Sequence, residues 1–153
     1  MVVDCWSIRD IKSVTPIEQF AKELDAEDAQ EVKPMVDGHE HNSVYLNVKQ
    51  LDWQPTDFEG VRIKVLWQDP DSGAYTAIFH MEPGACLPRH RHTGIEQTYV
   101  LEGSLADDEG TCQAGNFVWR RAGSIHSAHS PNGCLALGMF QNPNEFLNDT
   151  ADT

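Results

Sequence analysis

The chain has 153 residues, with 24 Asp and Glu against 11 Lys and Arg, a formal charge of −13 at neutral pH. That length makes one domain the default and suffices for a sound core, and 40% hydrophobic with 23% charged residues is a globular composition rather than a disordered one. So acidic a surface repels phosphate backbones, which excludes nucleic acid as a partner; no apolar run approaches the roughly 18 residues of a membrane span, and MVVDCWSIRD lacks the character of a secretion signal, so a cytoplasmic location is expected.

In chain order, Thr15-Pro16-Ile17-Glu18 reads as a capping box with proline at the first helical position. Ile17, Phe20, Ala21 and Leu24 repeat at helical spacing, which predicts one short amphipathic helix over residues 16–29. Residues 32–41, with Pro34 and Gly38, read as a loop. From Val44 the pattern changes to strands: residues 44–48, 61–68 and 75–81, the last two joined by a turn at Asp69-Pro70-Asp71-Ser72-Gly73. Residues 98–101, 117–120, 125–130 and 134–140 complete the set. Short strands with regular Gly and Pro punctuation predict an all-β sandwich or barrel.

The richest stretch is GACLPRHRHTGIEQTYVLEG, residues 84–103. His90 and His92 stand two apart, so on a strand they share a face. Glu96 follows, and Gly84 and Gly103 close the two ends. A second stretch, GNFVWRRAGSIHSAHS from residue 115 to residue 130, supplies His126. Three imidazoles and a carboxylate form a borderline ligand set that suits one divalent ion of zinc, iron, nickel, copper or manganese. The spacing favours Glu96 as a fourth ligand over a free carboxylate acting as base beside the ion.

The first stretch resembles the first cupin motif: glycine, five residues, His-x-His, three or four residues, glutamate, six residues, glycine. Gly84, His90, His92, Glu96 and Gly103 occupy its positions. The second is similar to the second cupin motif, with Gly115, Gly123 and His126 in place. Arg121 stands where proline is usual and Ser130 where asparagine is usual, departures that bear on a local turn and one hydrogen bond behind the site. Trp53, Gly60-Val61, the PGACLPRHRH run and Gly133-Cys134 resemble the ChrR-like branch of cupins, named for the zinc-binding C-terminal domain of an anti-sigma factor. The likeness leaves residues 1–50 unaccounted for.

The resemblance implies an all-β cupin double-stranded β-helix, or jelly roll, after a short N-terminal helix. The expected organisation is an N-terminal extension over residues 1–50, a cupin domain over 51–145 and a tail over 146–153. Cupins often dimerise through strand exchange, so a homodimer is expected. His39 and His41 have no cysteine pair beside them, unlike the zinc domain that grips the sigma factor in ChrR proteins, which argues against direct sigma-factor binding.

The remaining candidates divide by strand phase and chemistry. His80 is a pocket candidate, though a surface or hydrogen-bonded core histidine is the commoner case. Cys86 is in phase with His90 and reads as pocket lining rather than nucleophile, with no base beside it. Cys5, Cys86, Cys112 and Cys134 show no Cys-x-x-Cys spacing and are expected to be reduced. Tyr99, Phe117 and Trp119 read as core, and any of them also as a pocket wall, with Phe117 and Trp119 the preferred candidates. Arg89, Arg91, Arg120 and Arg121 fall inside the motifs, and pairing with surface carboxylates is preferred over holding an anionic substrate. The preferred function is a metal-dependent dioxygenase-type enzyme for a small ketone or diketone-like substrate; the alternative is a non-catalytic zinc cupin that senses a small molecule.

Overall fold

The computed structural model describes residues 43–147. The helix expected over residues 16–29 and the loop over 32–41 lie outside them. Within them run ten strands: β1 (Gln54–Pro55), β2 (Val61–Gln68), β3 (Tyr75–Met81), β4 (Cys86–His92), β5 (Glu96–Ala106), β6 (Thr111–Gln113), β7 (Phe117–Arg120), β8 (Ile125–His129), β9 (Cys134–Phe140) and β10 (Asn144–Phe146). They pair antiparallel in the order β1-β2-β3-β9-β5-β8-β4-β10, with β6 and β7 also on β5, and the sheet curls into a jelly roll. No helix among the described residues is long and apolar enough to cross a membrane.

Strand alternation explains the curl. In β9, Cys134, Ala136 and Phe140 point into the fold while Leu135, Leu137 and Met139 are half-buried on the other face. In β5, Glu96, Thr98 and Val100 are buried while Gln97, Tyr99 and Leu101 are exposed. β5 serves two neighbourhoods. Its first half pairs with β7 and β9; the β9 pairing continues past a register shift between Val100 and Glu102 as far as Gly103, and residues 104–106 pair with β6, Ala106 also with β8. Gly103 sits at that corner with φ +69°, and a Cβ there would collide with the carbonyl oxygen of Gly133. The closing glycine of the first motif is therefore a packing requirement as well as a conformational one.

The core is built from Val61, Met81, Val100, Leu105, Ala128 and Ala136, with a second cluster of Tyr75, Ala77 and Phe140. Val100 is wholly buried, a contribution of about 1.5–3 kcal/mol for a side chain of this size.

Several expectations are corrected. Residues 44–48 form no strand: residues 43–47 are irregular and a turn begins at Val48. Val44 and Tyr45 are 80% and 67% exposed, so there is no buried face to specify a strand. The Val48 carbonyl accepts a hydrogen bond from the Lys64 ammonium at 3.0 Å instead of a ladder bond. Tyr99, Phe117 and Trp119 are not core; they are 40%, 51% and 52% exposed on the outer face. Their phase decides this, since Tyr99 pairs with Phe117 and Gln97 with Trp119 on the side opposite Glu96 and Thr98. Cys86 is disulfide-bonded, against the expected reduced state, whereas Cys112 and Cys134 are free thiols.

Candidate metal centre

His90 and His92 lie on β4, Glu96 opens β5 after the corner at residues 93–95, and His126 lies on β8. His90 and His126 are direct partners across the β4–β8 pair, and His92 pairs with Asn144 of β10. Each of the four residues offers one ligand atom within 4.8 Å of every other, so the set could hold a metal ion. His90, His92 and Glu96 are 2%, 0% and 6% exposed.

The turn before His126 forms without the usual proline. The Ser124 amide donates to the Arg121 carbonyl at 3.1 Å, and the Ser124 hydroxyl donates to the same oxygen at 2.7 Å. Ser130, in the place of the usual asparagine, is fully buried and donates its hydroxyl to the Ser104 carbonyl at 2.8 Å.

Partners fix two of the three imidazoles. His90 Nδ1 lies 2.8 Å from the Pro88 carbonyl oxygen and His126 Nδ1 lies 3.0 Å from Asp107 Oδ2. Both oxygens only accept, so each Nδ1 carries the proton and each Nε2 keeps its lone pair. Burial depresses the pKa of all three histidines. For His126 the nearby charge of Arg120 adds to burial, and the value falls to about 4. Neutral imidazoles are the form that binds a metal.

His92 supplies the sharpest test of whether these residues fit a cation. Its Nε2 lies 3.0 Å from His126 Nε2, and its Nδ1 lies 3.0 Å from Glu96 Oε2. A neutral imidazole has one proton for two such contacts. Placed on Nε2, it leaves Nδ1 bare against a carboxylate; placed on Nδ1, it leaves two imidazole lone pairs facing each other. The Nδ1 contact also lacks hydrogen-bond alignment, so this buried nitrogen has no hydrogen-bond partner. Orphaned buried polar atoms are costly, and a positive ion among these acceptors removes the conflict. The donor set fits a divalent metal.

Behind the four residues stands a ring of charge that the sequence reading did not single out. Arg120 is the register partner of Glu96 across β5 and β7. Its Nη1 donates to Glu96 Oε1 at 3.0 Å and its Nη2 to Asp107 Oδ2 at 2.7 Å, with only 10% of the arginine side chain exposed. The Thr98 hydroxyl also donates to Glu96 Oε1, at 2.7 Å. Asp107 caps its own turn through Oδ1, which accepts from the Glu109 and Gly110 amides. Burial pushes the Asp107 carboxyl up, but the Arg120 hydrogen bond and charge outweigh it and hold the group below its ordinary value. Thus Arg120 does not pair with surface carboxylates; its partners are two buried ones. The surface expectation does describe Arg91, which meets Glu145 at 2.7 Å.

A cavity of about 560 Å³ opens beside the four residues, with His90, Glu96, His126 and Arg120 in its wall. None of His80, Cys86, Phe117 and Trp119 lines it. His80 packs edge-on against Trp53 at 5.7 Å, with its Nδ1 buried and unpaired. In their place Phe79, Met81 and Tyr75 of β3 face the cavity. The strand phase of β3 was the signal: Tyr75, Ala77, Phe79 and Met81 alternate with His80.

Residues 41–143 match the ChrR Cupin-like domain family. No curated protein matches the chain. Among solved structures, an RmlC-like cupin protein from Ralstonia eutropha is 24% identical, with a TM-score of 0.67 over 72% of this chain and 76% of that one. An acetylacetone dioxygenase from Acinetobacter johnsonii is 20% identical, with a TM-score of 0.63 over 77% and 85%. The Rhodobacter sphaeroides structure of SigE in complex with the anti-sigma ChrR gives 24% identity and a TM-score of 0.53, over 61% of this chain and 50% of that one. At these identities the likeness shows the fold.

Proposed function

This chain belongs to the ChrR cupin-like domain family, and on that premise we propose that it is a mononuclear metal-dependent oxygenase acting on a small ketone or diketone-like substrate. The observation that carries the reading is the set of three neutral imidazoles and one carboxylate, with His90, Glu96 and His126 in the wall of a largely apolar cavity. His90, His92, Glu96 and His126 would hold the ion. A bound divalent ion would lower the pKa of an enolisable carbonyl substrate and, if redox-active, support reaction with dioxygen.

The chain's own groups prepare that chemistry. Asp107 fixes His126 with Nε2 toward the centre, and Arg120 with Thr98 occupies Glu96 Oε1, leaving Oε2 on the side of His92. The cavity wall beside the site is largely apolar, and displacement of water by a seated substrate would strengthen electrostatic interactions there. The similarity in fold to an acetylacetone dioxygenase supports the substrate class by analogy.

The test is oxygen uptake by the iron, manganese, nickel, copper and zinc forms against a panel of ketones. Turnover by a redox-active form, lost in Glu96→Ala, supports the oxygenase. A second reading is a zinc-binding sensor of a small molecule, favoured by the family match and by the likeness to the ChrR complex. It gains if no form turns over while a ketone still binds at the metal, since zinc itself has no redox role.

A further inference from the structure

The cavity beside the four residues has a chemical character that narrows what it takes. Its volume, about 560 Å³, falls within the range of roughly 300–1,000 Å³ typical of sites for drug-sized ligands. That is far more space than a chelating head group needs, so the ligand has a body. The walls that receive it are aromatic. Phe140 is stacked on Tyr75 at 4.5 Å and met edge-on by Phe79 at 5.6 Å. Phe58 and Phe146 meet at 4.6 Å, and Phe146 lies 5.3 Å from the His90 ring. All five line the cavity, with Val65 and Leu87 between them. Rings supplied by β3 and β9 on one side and β10 on the other suit a flat apolar group, because aromatic pairs gain beyond the area they bury.

Charge narrows the ligand further. Among the described residues that line the cavity, Arg120 is the only permanently cationic side chain, and both ends of its guanidinium are engaged by Glu96 and Asp107. Asp57, Glu96 and Glu145 are carboxylates in the same wall, Glu96 paired with Arg120 and Glu145 with Arg91. Away from the metal-binding end, a carboxylate or phosphate on the body of the ligand would meet no free cation after losing its own hydration. We propose that this cavity takes a ligand with an uncharged aromatic body seated among Phe58, Phe79, Phe140 and Phe146 and a chelating pair of oxygens at the end beside His90, Glu96 and His126. The placement of the chelating end rests on the metal-centre reading; the choice of an uncharged aromatic body rests on the cavity alone.

The experiment measures binding rather than turnover, by calorimetry on the full chain. The zinc-loaded protein is titrated with 1-phenyl-1,3-butanedione, acetylacetone and 1-(4-carboxyphenyl)-1,3-butanedione, and the metal-free protein with naphthalene. The expected result is that the phenyl diketone binds at least about tenfold tighter than either acetylacetone, which lacks the ring, or the carboxyphenyl diketone, which keeps it but adds a charge to the body; even one methylene in an apolar pocket is typically worth about 10–200-fold. Naphthalene should bind the metal-free cavity. Filling the wall with Val65→Trp should erase the preference for the phenyl diketone while zinc stoichiometry holds, and Ala136→Phe provides a second filled cavity should the first fail to fold. Equal affinities for 1-phenyl-1,3-butanedione and acetylacetone, or the carboxyphenyl diketone binding as tightly as the phenyl diketone, would overturn the proposal. If naphthalene binds but no diketone does, the chelating end falls while the apolar body stands, and zinc stoichiometry reports separately on the metal-centre reading.

Discussion

Arg120 lies opposite Glu96 across the β5–β7 pair, and their side chains meet at 3.0 Å with about nine-tenths of each out of water. The same guanidinium reaches Asp107 at 2.7 Å. One cation thus balances two buried carboxylates. Arg120→Ala leaves both uncompensated, and breaking such a buried arrangement costs about 3–5 kcal/mol. Urea denaturation should show that loss, with Arg120→Lys recovering only part of it, because a lysine cannot span both acids with a planar fork. Zinc should raise the melting temperature of Arg120→Ala by more than it raises that of the parent, since the ion restores positive charge beside Glu96. An Arg120→Ala protein as stable as the parent would show that the two acids need no partner.

Asp107 acts on the site through His126, at 3.0 Å from its Nδ1. Asp107→Asn keeps the size but weakens the acceptor that holds the proton on Nδ1. Losing such an outer partner of a metal-binding histidine typically costs about 10–100-fold in metal affinity. Competition titration with a chromophoric chelator should find zinc affinity reduced in that range, with far-UV circular dichroism unchanged. An unaltered affinity would remove Asp107 from the site.

How far the sequence reveals this arrangement depends on whether a relationship is local. His90 and His92 follow the two-residue period of one strand, and Gly84 and Gly103 mark its surroundings, so convergence with Glu96 and His126 is legible from the motifs. Arg89 and Arg91 are legible too, since they alternate with the histidines and both point outward, Arg91 to Glu145. Arg120 is different. Its partner is set by the register of β7 on β5, and no spacing within either segment reveals it. Asp107 lies in a turn, and only its meeting with β7 and β8 gives it a role. The outward face of Tyr99, by contrast, was readable: it is three residues from Glu96, so the two cannot share a face of one strand. Residues 144–146 form a strand too short for any period to show, yet Phe146 reaches the His90 ring.

Gly103 and Gly115 separate conformational strain from collision. Both have positive φ, +69° and +80°, but a Cβ on Gly115 meets nothing within 4 Å, whereas one on Gly103 strikes the Gly133 carbonyl. Gly115→Ala should cost about 1–2 kcal/mol, the penalty of a left-handed alanine. Gly103→Ala should cost clearly more, because the backbone at the β5 corner must also move. Parallel urea melts check this, and equal losses would mean that the corner is pliant.

Removing the metal should leave the fold in place. The two core clusters contain none of the four candidate ligands, and a chain of this length does not rely on a metal staple. Zinc at about 100 times its dissociation constant adds about 2.7 kcal/mol, which for a domain of this size is roughly 5–10 °C in Tm. Calorimetry before and after dialysis against a chelator should show a shift of that order with circular dichroism retained. Complete unfolding at room temperature on chelation would contradict this.

Cys134 reports on the cavity through its pH dependence. It lines the cavity wall and is 5% exposed. Burial, with the neighbouring Cys112 adding to it, pushes its thiol up to about 11. The thiolate is the reactive form, so at pH 8 a thiol of that pKa is about 10⁻³ ionised, against roughly a quarter for a free cysteine near 8.5. In the folded protein the group is the protonated thiol through the whole neutral range. Its alkylation by iodoacetamide should therefore be slow at pH 8 and rise about tenfold per pH unit until the fold or the pKa is reached, while unfolding in urea restores ordinary reactivity. Peptide mapping separates Cys134 from Cys112, whose thiol is also raised by burial but which lies in the β6 edge strand rather than the cavity wall. A ligand seated in the cavity should slow Cys134 further and leave Cys112 unchanged. Rapid labelling of Cys134 at pH 8 in the native protein would show that the wall opens readily to solvent.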